Sequence, residues 1–291
     1  MQYQQVKIEK QDWPYDGQGY VTDFSDFLLR LETTNHCNFK CNFCPHSTMK
    51  RDKGFIDESL CERVIGEAAE LGIHNLDLRN FGEPILDKRL STIGKIASSN
   101  GFDHIYIHTN GMGINKSLLQ QWGEAGINDV NISLSPKKEF AKSRPGTDVD
   151  KLFSQIENLH DSEWMHILSV DYIRTGASSE QEEKKFNDWL IKFNLRKRIE
   201  INLHNWALGE SKNEGLGYCH RLWSSITILW DGQVPLCCLD YEGEYNLGNL
   251  HNASLKDIIN SELYREVRSN HYKGKYLSKC ASCDMPIKKD K

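Results

Sequence analysis

The fold is decided by LRLETTNHCNFKCNFCPHS, residues 29–47, where a short apolar segment runs directly into a loop that carries three cysteines. Three residues separate Cys37 from Cys41, and two separate Cys41 from Cys44. Thiolates grouped on one tight loop are typical ligands of iron or zinc. The sequence therefore predicts a buried strand followed by a metal-binding loop.

The residues around these cysteines leave two kinds of metal site open. A structural zinc ion usually takes four ligands, and His36 or His46 would supply the fourth. Three cysteines on a four-iron cluster would instead leave one iron open, and an open iron can bind a substrate. The loop by itself does not decide between the two.

The composition is that of a globular protein with an unusual number of cysteines. Of the 291 residues, 38% are hydrophobic and 10% aromatic, which is enough for a core. The net charge of −5 gives no electrostatic argument for binding nucleic acid or an anionic membrane, and no apolar run approaches the roughly 20 residues of a membrane span. Residues 1–15 lack the apolar stretch of a secretory signal, so we expect a cytoplasmic protein. Nine cysteines in such a chain favour metal binding or catalysis over disulfides.

Short apolar segments alternate with helical ones from about residue 27 to residue 204. The predicted strands are FLLRL (27–31), LDL (76–78), HIYIH (104–108), VNISL (130–134), HILSVDYI (166–173) and IEINL (199–203). The predicted helices cover 57–71, 87–99, 118–122, 152–159 and 186–193. Strands and helices that alternate with short connections predict an α/β fold with a parallel sheet, whose active groups gather at the carboxyl ends of the strands.

The sequence changes character after GESKNEGLG (209–217), which is predicted to be a linker. Residues 225–238, SITILWDGQVPLCC, predict a hairpin that turns at Asp231–Gly232. Ser254 begins a capping box, which predicts one helix from there to about residue 268. We therefore expect three parts: an N-terminal segment over 1–26, a main domain over 27–208 and a small α+β domain over 209–291.

Several motifs, taken in order, resemble those of one enzyme superfamily. The Cys37–Cys44 loop, with the aromatic Phe43 before its last cysteine, is similar to the cluster loop of the radical S-adenosylmethionine (radical SAM) enzymes. FGEP (81–84) resembles the GGEP motif of that superfamily, with Phe81 in place of the first glycine. The further segments that fall in the expected order are HTNG (108–111), NISLS (131–135) and SRPG (143–146).

The resemblance implies a fold, a cofactor and a chemistry. The fold would be a partial, TIM-like (β/α)6 barrel, and Cys37, Cys41 and Cys44 would hold a [4Fe-4S] cluster that binds S-adenosylmethionine. One electron from the cluster would cleave this molecule to methionine and a 5'-deoxyadenosyl radical, which takes a hydrogen atom from a substrate C–H bond. Glu83 would bind the amino group of the methionine part and Arg144 its carboxylate. The residues implied in cofactor binding are Phe43, Gly82, Glu83, Asn110, Ser133 and Arg144.

A second set of cysteines resembles the SPASM/twitch extension found on some radical SAM enzymes. Twelve residues separate Cys219 from Gly232, four separate Gly232 from Cys237, and the pair Cys280–Cys283 comes later. The family spacing from Gly232 favours Cys237 over its neighbour, so the resemblance implies one auxiliary [4Fe-4S] cluster on Cys219, Cys237, Cys280 and Cys283. A zinc ion held by two cysteine pairs is the alternative. The remaining two cysteines would be Cys238, a spare thiol beside the cluster, and Cys61, a core residue.

The resemblance leaves two reactions open. Peptide-modifying members of the superfamily often carry a leader-binding domain and two auxiliary clusters, whereas only 36 residues precede Cys37 here. The resemblance to the small-molecule members therefore implies a sugar- or cyclitol-like substrate more than a peptide. A dehydrogenase, like the aminocyclitol dehydrogenase of this superfamily, would oxidise an alcohol and pass an electron to the auxiliary cluster. An epimerase would return a hydrogen atom from the opposite face, and Cys238 is the candidate donor. Dehydrogenation is preferred here.

The expected partners follow from these reactions. They are a small-molecule substrate and an electron donor such as flavodoxin or ferredoxin, with neither nucleic acid nor membrane. The hypothesis from a different class is a protein without catalysis that uses iron-sulfur or zinc as a scaffold or sensor. A brown protein that cleaves S-adenosylmethionine under reduction would favour the enzyme, and a colourless zinc protein would favour the scaffold.

Overall fold

The computed structural model of the chain describes residues 1–5, 17–203, 205–206 and 219–284. Its strands are β1 (Tyr3–Gln5), β2 (Leu28–Leu31), β3 (Asn75–Asp77), β4 (His104–Thr109), β5 (Asp129–Leu134), β6 (Leu168–Arg174), β7 (Arg196–Asn202), β8 (Ser225–Ile228), β9 (Gln233–Val234), β10 (Gly248–Asn249) and β11 (Lys275–Leu277). Its helices are α1 (Glu58–Glu70), α2 (Leu90–Ser99), α3 (Lys116–Glu124), α4 (Lys137–Ser143), α5 (Val149–Glu157), α6 (Glu180–Lys192), α7 (Arg221–Ser224), α8 (Leu255–Ile259), α9 (Glu262–Tyr272) and α10 (Ser278–Ser282). Short 3-10 helices cover Pro45–Ser47, Pro84–Leu86 and Glu163–Ile167.

Seven strands form the main sheet, in the order β7-β6-β5-β4-β3-β2-β8. Strand β4 pairs with β5, β5 with β6 and β6 with β7, each pair in parallel. The predicted α/β class is therefore confirmed, and all six predicted strands are present within a few residues of their expected bounds. The strand β8, at one edge of the order, was not expected in this sheet.

The central strands carry apolar side chains on one face and polar side chains on the other. Successive residues of a strand point to opposite faces. The ring of Tyr172 in β6 packs against Phe186 of α6, with 5.6 Å between centroids, so its face is covered by helices. Asp171, next to it, lies on the opposite face and is fully buried there. A buried polar face is costly unless its groups find partners, which makes this face of the sheet a place to look for chemistry.

Two of the helices begin at side-chain caps. Asp57 accepts a hydrogen bond from the backbone N–H of Leu60 at the start of α1, and Ser179 forms a capping box with Glu182 at the start of α6. Helix α4 was not predicted, because its seven residues offer too few turns for a helical pattern. No helix among the described residues is long and apolar enough to cross a membrane.

The last quarter of the chain differs from its prediction in two respects. The turn forms as expected, with Gly232 at φ +78° and its N–H donating to the Leu229 carbonyl at 2.9 Å. The two strands beside the turn lie in different sheets, however, because β9 pairs with β10 and β8 with the main sheet. The single helix predicted from Ser254 is also wrong: the side chain of Ser261 caps a second helix, α9, by accepting from the N–H of Tyr264. Asn260, between the two helices, exchanges hydrogen bonds with the backbone of Val21.

The chain divides into two compact units. One unit comprises Leu31–Phe55 and Leu76–Leu203. The other comprises Met1–Arg30, Ile56–Asn75 and His204–Lys291. The domain boundaries at 26/27 and 208/209 stay a prediction, and the predicted linker over 209–217 lies outside the described residues.

Candidate functional site

The cysteine loop is closed at its base by hydrogen bonds between its two ends. The Asn35 side chain donates to the Asp52 carbonyl at 2.8 Å and accepts from the Gly54 N–H at 2.9 Å. Beside it, Arg51 makes a bidentate contact with the fully buried Glu32, at 2.9 and 3.0 Å. Bidentate pairs of this kind fix geometry as well as charge. The loop is therefore held in place before any cofactor is considered.

The three thiols of the loop lie close enough to influence one another. The N–H of Cys44 donates to the carbonyl of Cys41 at 3.1 Å, which folds the segment between them into a turn. Burial raises the pKa of Cys37 to about 12 and that of Cys44 to about 11, and neighbouring thiolates raise both further. Three thiolates therefore need a cation among them to stay ionised. This donor set fits an iron-sulfur cluster, which supplies that positive charge.

The residues that would complete a zinc site are engaged elsewhere. His46 directs its Nε2 to the Asn35 carbonyl at 2.8 Å, and the ring of His36 stacks on Phe55 with 5.0 Å between centroids. Among the described residues, no three His, Cys, Asp or Glu side chains converge closely enough to hold a single metal ion. The geometry gives no support to the zinc alternative at this loop, and a four-iron cluster is a larger group than one ion.

The FGEP segment packs directly on the residues that lead into the cysteine loop. At Gly82 an added Cβ would lie 2.1 Å from the Thr34 carbonyl oxygen, so only glycine fits. The N–H of Glu83 donates to the His36 carbonyl at 2.8 Å. Phe81, which replaces the glycine of the family motif, is buried. This close backbone contact holds Glu83 against His36, the residue directly before Cys37.

The Glu83 carboxylate is buried and has capacity for one more donor. Its Oε1 accepts from the Ile85 N–H at 3.1 Å and the Thr109 hydroxyl at 2.5 Å, and its Oε2 accepts from the Asn110 N–H at 2.7 Å. Burial raises the pKa of Glu83 to about 7. A carboxylate offers about four acceptor positions, so Oε2 can accept from a further N–H group, such as an amino group of a ligand.

Arg144 is buried beside the loop, and two aromatic rings pack near its guanidinium. Its guanidinium carbon lies 4.2 Å from the ring centre of Phe140 and 5.0 Å from that of Phe43. One of its Nη atoms donates to the Ser133 hydroxyl at 3.0 Å. Burial lowers the pKa of Arg144 to about 10, and the thiolate of Cys41 opposes that effect. A flat, buried guanidinium beside a cluster loop is suited to bind a carboxylate in two-point contact.

Asn110 joins the end of β4 to the loop, since its amide donates to the Asn38 side chain at 2.8 Å. Its Oδ1 accepts from the Met112 N–H at 2.9 Å, which holds the turn after the strand. The structure therefore brings together, around the cysteine loop and near the carboxyl ends of β3 to β5, all the residues expected to bind the cofactor: Phe43, Gly82, Glu83, Asn110, Ser133 and Arg144.

The second cysteine set lines one cavity. Its four members are Cys219 before α7, Cys237 after β9, and Cys280 and Cys283 in and after α10. Burial raises the pKa of the first three. Two cationic side chains, Arg221 and Lys279, line the same cavity. Four thiols with adjacent cations form a donor set that fits a fully ligated cluster with net negative charge.

The two adjacent cysteines of this region are placed differently. Cys237 lines the cavity, and its Sγ accepts from the Leu239 N–H at 3.4 Å. Cys238 is half-buried and is not among the residues that line the cavity. Cys61 is buried in α1, as predicted for a core residue. This placement favours Cys237 as the ligand.

Sequence reasoning missed a row of polar residues on the face of the sheet opposite to the helices. His108 in β4, Asn131 in β5 and Ser169 in β6 are register partners on adjacent strands. The His108 Nδ1 lies 3.1 Å from an Asp171 carboxylate oxygen. The available signal was the polar residue at every second position of HIYIHT and DVNISL, together with Ser169 and Asp171 in LSVDYIR, because parallel strands buried on both faces are usually apolar throughout.

Two family models match the chain. The Radical SAM superfamily matches residues 31–172, and an iron-sulfur cluster-binding domain, SPASM, matches residues 219–284. A similar curated protein is the GTP 3',8-cyclase of Tolumonas auensis, 28% identical over 178 residues, which are 59% of this chain and 52% of that protein. The chain thus spans about half the length of the curated relatives it matches.

Solved structures of the same fold cover most of the chain. The structure of BtrN in complex with AdoMet and 2-DOIA is 17% identical, covers 91% of this chain and 94% of that one, and has a TM-score of 0.63. Streptococcus suis SuiB bound to the precursor peptide SuiA is 14% identical, with 90% and 70% coverage and a TM-score of 0.64. The predicted partial barrel with a small C-terminal domain is confirmed. The chain belongs to the radical S-adenosylmethionine superfamily, carries an iron-sulfur cluster-binding domain of the SPASM type, and uses S-adenosylmethionine and [4Fe-4S] clusters as cofactors.

Proposed function

We propose that this radical SAM enzyme oxidises an alcohol of a small polar substrate, sugar- or cyclitol-like. The carbinol carbon would lose a hydrogen atom to the 5'-deoxyadenosyl radical, the hydroxyl would lose its proton to solvent, and the remaining electron would pass to an auxiliary cluster. When bound, the cofactors supply the 5'-deoxyadenosyl radical and the electron acceptor. The observation that carries the proposal is the cavity lined by Cys219, Cys237, Cys280 and Cys283. Four thiols complete the coordination of one cluster and leave no open iron for substrate, so the role that remains is electron transfer.

The chain's own residues have distinct roles at the first site. Cys37, Cys41 and Cys44 hold the cluster that binds S-adenosylmethionine, and their number leaves one iron open. Glu83 accepts from the amino group of the methionine part through the remaining capacity of Oε2. Arg144 would bind the carboxylate, because its planar guanidinium is held in position by the rings of Phe43 and Phe140 and by its hydrogen bond to Ser133. Asn110 holds the end of β4 against the loop through its hydrogen bond to Asn38, and Gly82 lets the backbone before Glu83 pack against Thr34.

At the second site, Arg221 places positive charge beside the thiols, whereas two carboxylates offset the charge of Lys279. Lys279 lies in the cavity wall, 3.6 Å from Asp240 and 3.2 Å from Glu244. Arg221 lines the same cavity. Cations near a cluster stabilise its reduced, more negative state. A one-electron donor of the flavodoxin or ferredoxin type would supply the electron that starts each turnover, in the cytosol, where thiols stay reduced.

Iron content and substrate hydrogen together test the proposal. Replacing Cys37, Cys41 and Cys44 by Ala should remove about half of roughly eight irons and all cleavage of S-adenosylmethionine. The matched variant with Cys219, Cys237, Cys280 and Cys283 replaced should keep the other half and still form 5'-deoxyadenosine, but should not release an oxidised product. Substrate deuterated at the carbinol carbon should transfer its label to 5'-deoxyadenosine. Unchanged cleavage in the first variant would contradict the assignment.

A radical epimerase is the second candidate, because Cys238 is a spare thiol next to a ligand cysteine. In that reaction Cys238 would return a hydrogen atom to the opposite face of the substrate radical. Solvent deuterium would then enter the product of the wild-type enzyme, whereas a dehydrogenase product gains none.

The names of the curated relatives suggest nucleotide cyclisation as a further alternative, although the chain spans only about half of their length. Incubation of the reduced enzyme with S-adenosylmethionine and GTP separates this alternative from the proposal. Formation of a cyclised nucleotide would replace alcohol oxidation as the function. Unchanged GTP alongside an oxidised polyol would support the oxidation.

A further inference from the structure

A polar row crosses three adjacent strands of the sheet, on the face opposite to the helices. It consists of His108 in β4, Asn131 in β5 and Ser169 in β6, which are register partners. Same-face neighbours in register are in direct contact range. Asn131 and Ser169 are fully buried, and the side chain of His108 is 17% exposed. Ser133, the residue that holds Arg144, is two positions further along β5 on the same face.

The Asn131 amide has a donor that its surroundings leave unused. Its Oδ1 accepts from the Ser169 hydroxyl at 2.5 Å. Among the described residues, its buried Nδ2 has no hydrogen-bond partner. Leaving a buried amide donor without an acceptor is costly, and such groups in native structures call for an explanation. An acceptor atom of a bound molecule would provide one.

The neighbouring imidazole offers the complementary group. The His108 Nδ1 lies 3.1 Å from an Asp171 carboxylate oxygen, although the two atoms are not aligned as a hydrogen bond. Burial lowers the pKa of His108, which keeps the ring neutral near pH 7. A neutral imidazole has one donor and one acceptor nitrogen, so His108 can accept a hydrogen bond through one of its ring nitrogens. One donor on Asn131 and one acceptor on His108, on adjacent strands, match the two hydrogen-bonding roles of a hydroxyl group.

Charged groups of both signs lie on this face, since Arg144 binds to Ser133 there. Two buried carboxylates stand on β3 and β6: Asp77, which pairs with Arg79 at 2.9 Å, and Asp171. Arg79 also lies over the ring of Tyr106, 5.9 Å from its centre. A polyphosphate placed here would meet the buried Asp171 carboxylate in a region of low dielectric. Hydroxyl or amino groups would meet hydrogen-bonding partners.

The geometry points to this row as the substrate-binding surface, with Asn131 donating to, and His108 accepting from, a hydroxyl of an uncharged or amino-bearing polyol. The inference rests on the proposed function and narrows it, since it names the residues that hold the substrate and the class that they select. The buried Asp171 carboxylate disfavours a polyphosphate at this surface.

The test uses the anaerobic holoenzyme with S-adenosylmethionine bound, and three probes: myo-inositol, D-glucosamine and GTP. Saturation-transfer NMR measures the affinity of each probe without turnover. The two variants are Asn131→Asp, which keeps size but loses the amide donor, and His108→Gln. Each should weaken polyol binding about tenfold or more, which corresponds to about 1.4 kcal/mol. GTP should neither bind to this surface nor displace the polyols.

Matched controls stand on the same strands and the same face. His104 and Asp129, at the amino ends of β4 and β5, form a similar pair at 3.4 Å, and His104 is exposed. His104→Gln and Asp129→Asn should leave polyol affinity within about twofold of wild type. Three results would each overturn the inference: wild-type polyol affinity in both Asn131→Asp and His108→Gln, no polyol binding by the wild type, or displacement of the bound polyol by GTP. Cleavage of S-adenosylmethionine, measured in the same wild-type sample, separates these results from a failure of the proposed function.

Discussion

Replacing Gly82 by Ala should destabilise the protein and weaken S-adenosylmethionine binding, although it adds only one methyl group. The new Cβ would lie 2.1 Å from the Thr34 carbonyl oxygen, 2.8 Å from the Thr34 carbonyl carbon and 2.9 Å from the Asn35 Cα. Real Cβ atoms essentially never approach closer than 3.0 Å, and the atoms here are backbone. The two chain segments must therefore separate by about 1 Å, a form of overpacking that costs about 3 kcal/mol. The separation also stretches the hydrogen bond from the Glu83 N–H to the His36 carbonyl, now 2.8 Å.

Gly66→Ala is the matched control, with the opposite expected sign. Gly66 is inside α1, and nothing lies within 4 Å of an added Cβ. Alanine in a helix interior is more stable than glycine by about 1 kcal/mol. In an anaerobic urea titration with a slope of about 3 kcal/mol per M, Gly82→Ala should lower the midpoint by about 1 M and Gly66→Ala should raise it by about 0.3 M. Affinity for S-adenosylmethionine should fall only in Gly82→Ala. Equal midpoints for the two variants would refute the steric argument.

Three further changes probe the two sites. Cys238→Ala should keep all iron and most turnover, since the electron leaves through the auxiliary cluster; iron analysis that shows a loss would make Cys238 a ligand. Arg144→Lys keeps the charge but loses the flat contact with Phe43, so affinity for S-adenosylmethionine should fall about tenfold in equilibrium dialysis, with iron unchanged; wild-type affinity would show that stacking is irrelevant. Burial raises the pKa of Glu83 from 4.5 to about 7, so the folded state holds this proton more tightly, and stability without S-adenosylmethionine should fall by about 1.4 kcal/mol per pH unit between these values. Glu83→Gln should remove that part of the pH dependence in urea titrations from pH 5 to 8, and parallel curves for the two proteins would contradict it.

The sequence was sufficient for features whose cause is local. The order of the strands and helices follows from apolar periodicity, and caps such as Asp57 and Ser179 need only the next three residues. The cysteine motif is equally local, because ligands on one short loop cannot be far apart. Where a local pattern competed with a distant contact, the prediction was wrong: the helix expected from Ser254 is interrupted at Asn260, which bonds to Val21, far away in the chain.

Only the tertiary structure decided how distant segments meet. No pattern near Gly82 shows that the Thr34 carbonyl excludes every side chain but glycine, since the two positions come together through the sheet. The polar row is similar: His108, Asn131 and Ser169 belong to three separate strands, and only parallel register aligns them. The sequence of a strand shows that one of its faces is polar. It does not show the register with neighbouring strands, because the hydrogen bonds between strands are made by backbone atoms that every residue has. The cofactor loop could therefore be recognised from its residues, whereas the surface that we assign to the substrate exists only in the folded chain.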